Sequence, residues 1–297
     1  MAAKRRRHGK RWLTRVCAGA VVVGAGGIAA FLGLEELAGA AAGAGRPVDP
    51  FTTPAMVAFL HHRTGYISAG LYDVATGTTF LYHPNDRQQT ASIVKVDILA
   101  TLLSERQLVG EPLSEDDKDL ATDMIEQSDN DDATALWEEA GGAVGIAAFN
   151  KAAGMTQTTP NPDDYWGETL TSARDQLLLL RRVMLRNDLL HYQARDYAQY
   201  LMENVTPFER WGVSAGPPPT VTVALKNGWV PIVGSDWQVN SIGSIDGDGR
   251  HYLIVILTSG DDGESYGIDT IEGISRIVWS SMPRTSTSAS FTASTAG

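Results

Sequence analysis

The chain has 297 residues, with 24 Lys and Arg against 35 Asp and Glu and a net charge of −11. So acidic a surface excludes nucleic acid and polyanionic polymers as broad-surface partners. The lone cysteine, Cys17, excludes an internal disulfide, so the fold must be held by its core, for which the length suffices.

The first 45 residues read as a targeting segment. Lys4, Arg5, Arg6, Arg7, Lys10, Arg11 and Arg15 precede the uncharged stretch 16–34 and the small-residue run 38–45. This is the pattern of a secretory signal peptide or a signal anchor, long enough to span a bilayer, with cleavage sites after Ala40 or Ala42. Cys17 precedes the apolar run and is not placed as a lipid-bearing cysteine. The dinucleotide-like Gly24-Ala25-Gly26-Gly27-Ile28-Ala29 belongs to the same segment, because no second strand with an acidic end follows it. A Pro-bearing linker, 46–50, separates the leader from the domain 46–284. The Ser/Thr-rich tail 285–297 is expected to be disordered.

Within the domain, Met56, Val57, Phe59 and Leu60 give the segment 53–62 a helical apolar face. Two strands are expected across 66–82, joined at Ala75-Thr76-Gly77. A turn at His83-Pro84-Asn85-Asp86 precedes the sequence Ser92-Ile93-Val94-Lys95, beyond which Val96, Ile98, Leu99, Leu102 and Leu103 keep a helical period. On a helix, residues three apart share a face, so Lys95 can lie beside Ser92. A serine becomes a nucleophile when a neighbour takes its proton, and a lysine does so if burial or nearby cations keep it neutral. Lys95 is thus the candidate base, and the Ser92 N–H at the helix start a first oxyanion donor.

The amphipathic segment 120–127 leads into Ser128-Asp129-Asn130, and the strand-like 220–225 leads into Lys226-Asn227-Gly228. Each triplet alone fits a helix cap or a turn. The segment 175–185 reads as a helix, 237–243 and 252–258 as strands around a turn at Asp246-Gly247-Asp248-Gly249, and 267–281 as a final helix. A nucleophile-elbow pattern, Gly212-Val213-Ser214-Ala215-Gly216, is followed by Asp236 and His251 in hydrolase order. Pro217-Pro218-Pro219 stands where the elbow's helix must begin, so the segment is read as a loop. His61 and His62 diverge on a helix and the other histidines stand singly, so no metal and no cofactor is expected.

Taken in order, the three motifs resemble those of the class A serine β-lactamases and the related penicillin-binding DD-peptidases. The likeness extends over most of 51–281. It implies an α+β fold of two lobes: an antiparallel sheet flanked by N- and C-terminal helices, and an all-α lobe, with the site in the groove between. It implies Ser92 as nucleophile, Lys95 as its proton acceptor and Ser128 as proton relay to the leaving nitrogen. Asn130 would hold Lys95 and the substrate amide, and Lys226 would supply positive charge near Ser128 and a substrate carboxylate. Gly228 would let the strand pass close to the ligand, and the Trp229 N–H would be the second oxyanion donor. Trp211, Trp229 and Trp237 are candidate groove or core aromatics.

Two departures stand out. The middle residue of the third motif, normally a Thr or Ser whose hydroxyl contacts the substrate carboxylate, is Asn227, a substrate-binding candidate whose amide can also donate but with a different reach. The long loop that carries the deacylating glutamate in class A enzymes is reduced to a short segment in which Glu168 is the only glutamate, with Asp163 and Asp164 no better placed. The reading is an exported serine acyl hydrolase that is acylated by β-lactams or related amides and turned over slowly. A DD-peptidase acting on wall peptides and a non-turnover penicillin-sensing module are the alternatives. The expected partner is a small-molecule or peptidoglycan-derived substrate. The protein is expected to be a monomer, secreted or anchored by its leader to the extracellular face of the cell membrane.

Overall fold

The computed structural model describes residues 48–232 and 236–284; the expected leader and the tail 285–297 lie outside the described residues. Helix α1 (Pro54–His61) is opened by Thr53, whose hydroxyl accepts from Met56 N, and by Pro54 in the first turn, where no N–H is needed. Strands β1 (Tyr66–Asp73) and β2 (Thr78–Tyr82) form an antiparallel hairpin. The Asp73 carboxylate closes its turn by accepting from Ala75 N at 3.0 Å and Thr76 Oγ1 at 2.7 Å. Strand β3 (Arg87–Gln89) and a 3-10 turn (Ala91–Ile93) lead into α2 (Val94–Val109), which ends at Gly110 in the left-handed region, φ 74°.

The helical middle continues with α3 (Glu115–Glu126), α4 (Asn130–Glu139) and α5 (Gly142–Ala153), then strand β4 (Leu170–Ser172), α6 (Ala173–Met184) and α7 (Tyr192–Glu203). Helix α3 begins with a capping box in which Ser114 and Asp117 satisfy each other's backbone N–H. Residues Val94 to Ser104 of α2 are all buried, as befits the central helix of this lobe.

The chain then returns to the sheet through β5 (Thr222–Pro231), β6 (Asp236–Gly247) and β7 (Arg250–Asp262), and ends in α8 (Glu264–Ser281). The five-stranded sheet has the order β2-β1-β7-β6-β5, with every pair antiparallel. Central strand β7 is apolar on both faces. Leu253, Val255 and Leu257 pack into one core with α2 to α7, whereas Tyr252, Ile254 and Ile256 pack into a second core with α1 and α8. That is why 252–258 reads as an unbroken apolar run. Two cores on opposite faces of one sheet realise the expected α+β architecture.

Some boundaries differ from the sequence reading. Ser92 lies in the 3-10 turn and α2 starts two residues later. The strand expected to stop before Lys226 runs through the third motif to Pro231. The final helix begins at Glu264. The short pairing of β3 with β4, Gln88 opposite Thr171, was not anticipated; three-residue strands carry no usable periodicity. Residues 212–215 form a 3-10 turn rather than an elbow between strand and helix. Asp248 and Gly249 make the β6–β7 turn with φ 51° and 72°.

Strand β5 is an edge strand, and the Ser92 turn packs against it at Gly228. A Cβ at that glycine would stand 2.6 Å from Ser92 N, 2.8 Å from Ile93 N and 2.9 Å from Thr90 O. The glycine therefore lets the strand pass close to the backbone of the Ser92 turn. Gly228→Ala is expected to cost about 1–3 kcal/mol by overpacking and to displace the turn. Urea unfolding measures the first effect, and loss of Ser92 labelling by a serine-reactive probe measures the second.

Candidate active site

The segment before Ser92 is fastened to the sheet by amides of β6. Gln238 Nε2 donates to Gln89 O at 2.8 Å, and Asn240 Nδ2 donates to Gln89 O and Thr90 O, both at 3.0 Å. Thr90 N donates to Thr169 O at 2.9 Å, which ties the same segment to the loop that carries Glu168. Ala91, just before the serine, has φ 45°. A side-chain-bearing residue holds that conformation only where its surroundings impose it, and here the fastened turn does so.

Ser128 is held in the same way. It ends the turn after α3 with φ 61°, and Asp129 then caps α4, its carboxylate accepting from Asp131 N at 2.8 Å and Asp132 N at 3.0 Å. The capping reading of this triplet is therefore realised. Asn130, the first residue of α4, presents its side chain to the groove.

Lys95 and Lys226 converge on Ser128, one from α2 and the other from β5. Both have 0% exposure. Lys95 Nζ lies 2.6 Å from Ser128 O, 2.8 Å from Asn130 Oδ1 and 3.2 Å from Ser128 Oγ. Lys226 Nζ donates to Ser128 Oγ at 2.9 Å and to Asn227 O at 3.2 Å. Burial, followed by the charge of Lys226, lowers Lys95 to about 7; burial also lowers Lys226 to about 8, against the opposing pull of Glu209. A neutral Lys95 has two N–H groups, which the two carbonyls accept, and a lone pair left for a hydroxyl proton. None of its three contacts is to Ser92, one helical turn away; such contacts commonly tighten only when substrate binds.

The phase of the β5–β6 ladder sets the direction of the Trp229 N–H. Ile232 N donates to Asp236 O at 2.8 Å, so Ile232 and Asp236 are a hydrogen-bonded pair. By antiparallel alternation Val230, Gly228 and Lys226 also bond to β6, whereas Trp229 and Asn227 turn their backbone groups outward. The Trp229 N–H thus points off the open sheet edge, while Ser92 N lies against Gly228. Pro231, which has no N–H, occupies the next outward position.

Side chains alternate too. Lys226 and Gly228 face the helical lobe, and Asn227 faces the α8 side. There Asn227 Nδ2 donates to Glu209 O at 2.6 Å and to Trp211 O at 3.3 Å. The side chain expected to contact substrate is thus engaged with the backbone of 209–211. Trp211 and Trp229 meet edge to face with centroids 5.7 Å apart, and Trp211, Trp229 and Trp237 all pack partly buried on the α8-side core.

The groove beside Ser92 has a volume of about 620 Å³ and is lined by Ser92, Asn130, Trp166, Glu168 and Trp229, among others. Glu168 is exposed and accepts from Asn161 Nδ2 at 3.0 Å. The Lys95 ammonium position stands 5.0 Å from the centroid of Trp166, whose Nε1 donates to Thr134 Oγ1 at 3.1 Å. Among the described residues, no group of three His, Cys, Asp or Glu side chains could hold a metal ion.

Sequence reasoning did not find Glu209. It is 2% exposed, with Oε2 3.7 Å from Lys226 Nζ, and burial raises its pKa against the pull of both lysines. No motif marks it, since it reaches the site only through the return of the chain after α7. Gln238 and Asn240 did leave a signal: two amides inside an apolar strand run.

Comparison with known proteins identifies the family and the fold. Residues 115–282 match the model of the beta-lactamase enzyme family, a span that holds the second and third motifs. Among curated proteins, "Putative lipoprotein LppW" of Mycobacterium tuberculosis is 29% identical over 204 residues, which cover 66% of this chain and 64% of that protein. Among solved structures, a class A β-lactamase from Mycobacterium abscessus aligns with TM-score 0.63 at 22% identity, over 75% of this chain and 95% of its own. A mutant of PBP-A, solved as its acyl-enzyme complex with penicillin G, aligns with TM-score 0.68 at 19% identity, over 79% and 97%. The fold is that of the class A enzymes, and the chain belongs to the beta-lactamase enzyme family.

Proposed function

We propose that this protein is an exported serine acyl hydrolase that forms an acyl-enzyme on Ser92 with β-lactams or related amides and releases it slowly. The observation that carries the reading is the convergence of two buried lysines on Ser128, beside a serine set in a constrained turn. In the acylation step the Ser92 Oγ–acyl bond forms and the acyl C–N bond breaks. The Ser92 proton passes to Lys95, Ser128 gives its own proton to the leaving nitrogen, and the lysines reprotonate Ser128. The backbone N–H groups of Ser92 and Trp229 stabilise the oxyanion. In deacylation water takes the acyl group and returns the proton to Ser92.

Slow release is favoured over rapid hydrolysis by the groove loop. Its one glutamate, Glu168, is exposed and held by Asn161, and Trp166 is the loop side chain set over Lys95. Export is supported by the leader pattern and by a relative described as a lipoprotein; residues 46–284 would be the exported catalytic part.

Three outcomes are expected. In intact-mass spectrometry with excess penicillin, wild type gains a persistent adduct and Ser92→Ala gains none; rapid clearance would contradict slow release. Glu168→Gln changes the clearance rate by less than about twofold, as for a surface substitution. Acylation is bell-shaped in pH: it rises near pH 7 as Lys95 loses its proton and falls above about pH 8 as Lys226 loses its charge. A flat profile across that range in stopped-flow acylation would remove Lys95 as the base.

A further inference from the structure

Beside Ser128 the positive charge of Lys226 is already answered from within the protein. Glu209 Oε2 lies 3.7 Å from Lys226 Nζ and is buried with no closer partner. The neighbouring motif residue has no donor to offer: both N–H groups of the Asn227 amide face the Glu209 and Trp211 carbonyls, and its Oδ1 is buried toward Gly212. The groove lining adds two carboxylates, Asp164 and Glu168, and among the described residues contains no Lys or Arg. A carboxylate leaving water needs a compensating cation or a set of free donors. One that approaches this end of the site finds a balanced lysine, an occupied amide and like charge on the walls.

We infer that the site, on the acyl-enzyme reading above, takes acyl substrates whose leaving-group side carries no carboxylate: neutral amides or esters, such as an amidated or esterified peptide terminus. Glu209 and Asn227 set this preference, Glu209 by neutralising Lys226 and Asn227 by withholding its N–H groups. Penicillins, with a carboxylate beside the ring nitrogen, acylate Ser92 only in excess and more slowly than their esters.

The test uses two thioesters with one acyl group, phenylacetylglycyl, and either mercaptoacetate or mercaptoacetamide as leaving group. In each, the Ser92 Oγ–acyl bond forms, the C–S bond breaks, and the serine proton leaves on the thiol. Thiol release, corrected for uncatalysed hydrolysis, and the mass of the labelled Ser92 peptide are followed on the full protein. Wild type is expected to favour the carboxamide by about tenfold or more, the scale of one charged hydrogen bond. Glu209→Gln and Asn227→Thr are each expected to shift the ratio toward the carboxylate by about tenfold. Because each ratio compares two probes on one sample, partial misfolding of a variant cancels. A wild-type preference for the carboxylate, or a ratio unmoved by both variants, overturns the inference and leaves the acyl-enzyme reading standing. Labelling of Ser92 by neither thioester defeats both.

Discussion

Two buried lysines sharing one serine hydroxyl set the terms for everything around them. Lys95 and Lys226 sit 3.2 Å and 2.9 Å from Ser128 Oγ with no exposure to solvent. Two ammonium ions so close and so dry are costly. The structure lowers that cost by pushing Lys95 toward the neutral amine and by placing the buried Glu209 carboxylate beside Lys226. A neutral amine is also what the proposed nucleophile Ser92 needs, so on that reading the electrostatic constraint of the core and the chemical demand of acyl transfer have the same solution.

The fold exists around this arrangement. One lysine comes from the central helix of the α lobe and the other from the edge strand of the sheet, so Ser128 joins the two lobes. Gly228 allows the edge strand to touch the Ser92 turn, and amides from β6 hold that turn by its carbonyls. Ala91 and Ser128 are both kept in positive-φ conformations that side-chain-bearing residues seldom adopt. Strain of this kind thus lies beside Ser92 and at Ser128, where it holds both serines in fixed turns. It is carried by a double core that straddles β7.

Much of this was legible in the residues. Helical spacing put Lys95 beside Ser92, the resemblance of the three motifs to those of the class A enzymes singled out Ser128, Asn130, Lys226 and Gly228, and the helical and strand periods placed them on elements. The outward phase of Trp229 followed from strand alternation once the hairpin end was known. What stayed hidden depends on long-range return of the chain. Glu209 stands 17 residues before Lys226 in a segment without periodicity and meets it only in three dimensions. Asn227 was read as a substrate contact because the resemblance puts a substrate-binding side chain at that position, yet its amide donates to the Glu209 and Trp211 carbonyls. The β3–β4 pairing, which brings the short loop against the Ser92 turn, is too brief to leave a pattern.

The most direct test of the account is the protonation state of Lys95 itself. Protein labelled with carbon-13 at the lysine ε position, with the two buried signals assigned from Lys95→Arg and Lys226→Arg, can be titrated by NMR between pH 5 and pH 11. The account predicts signals moving near pH 7 for Lys95 and near pH 8 for Lys226. If Lys95 instead titrates with the exposed lysines near pH 10.4, it is an ammonium ion at neutral pH, and Ser92 has no base.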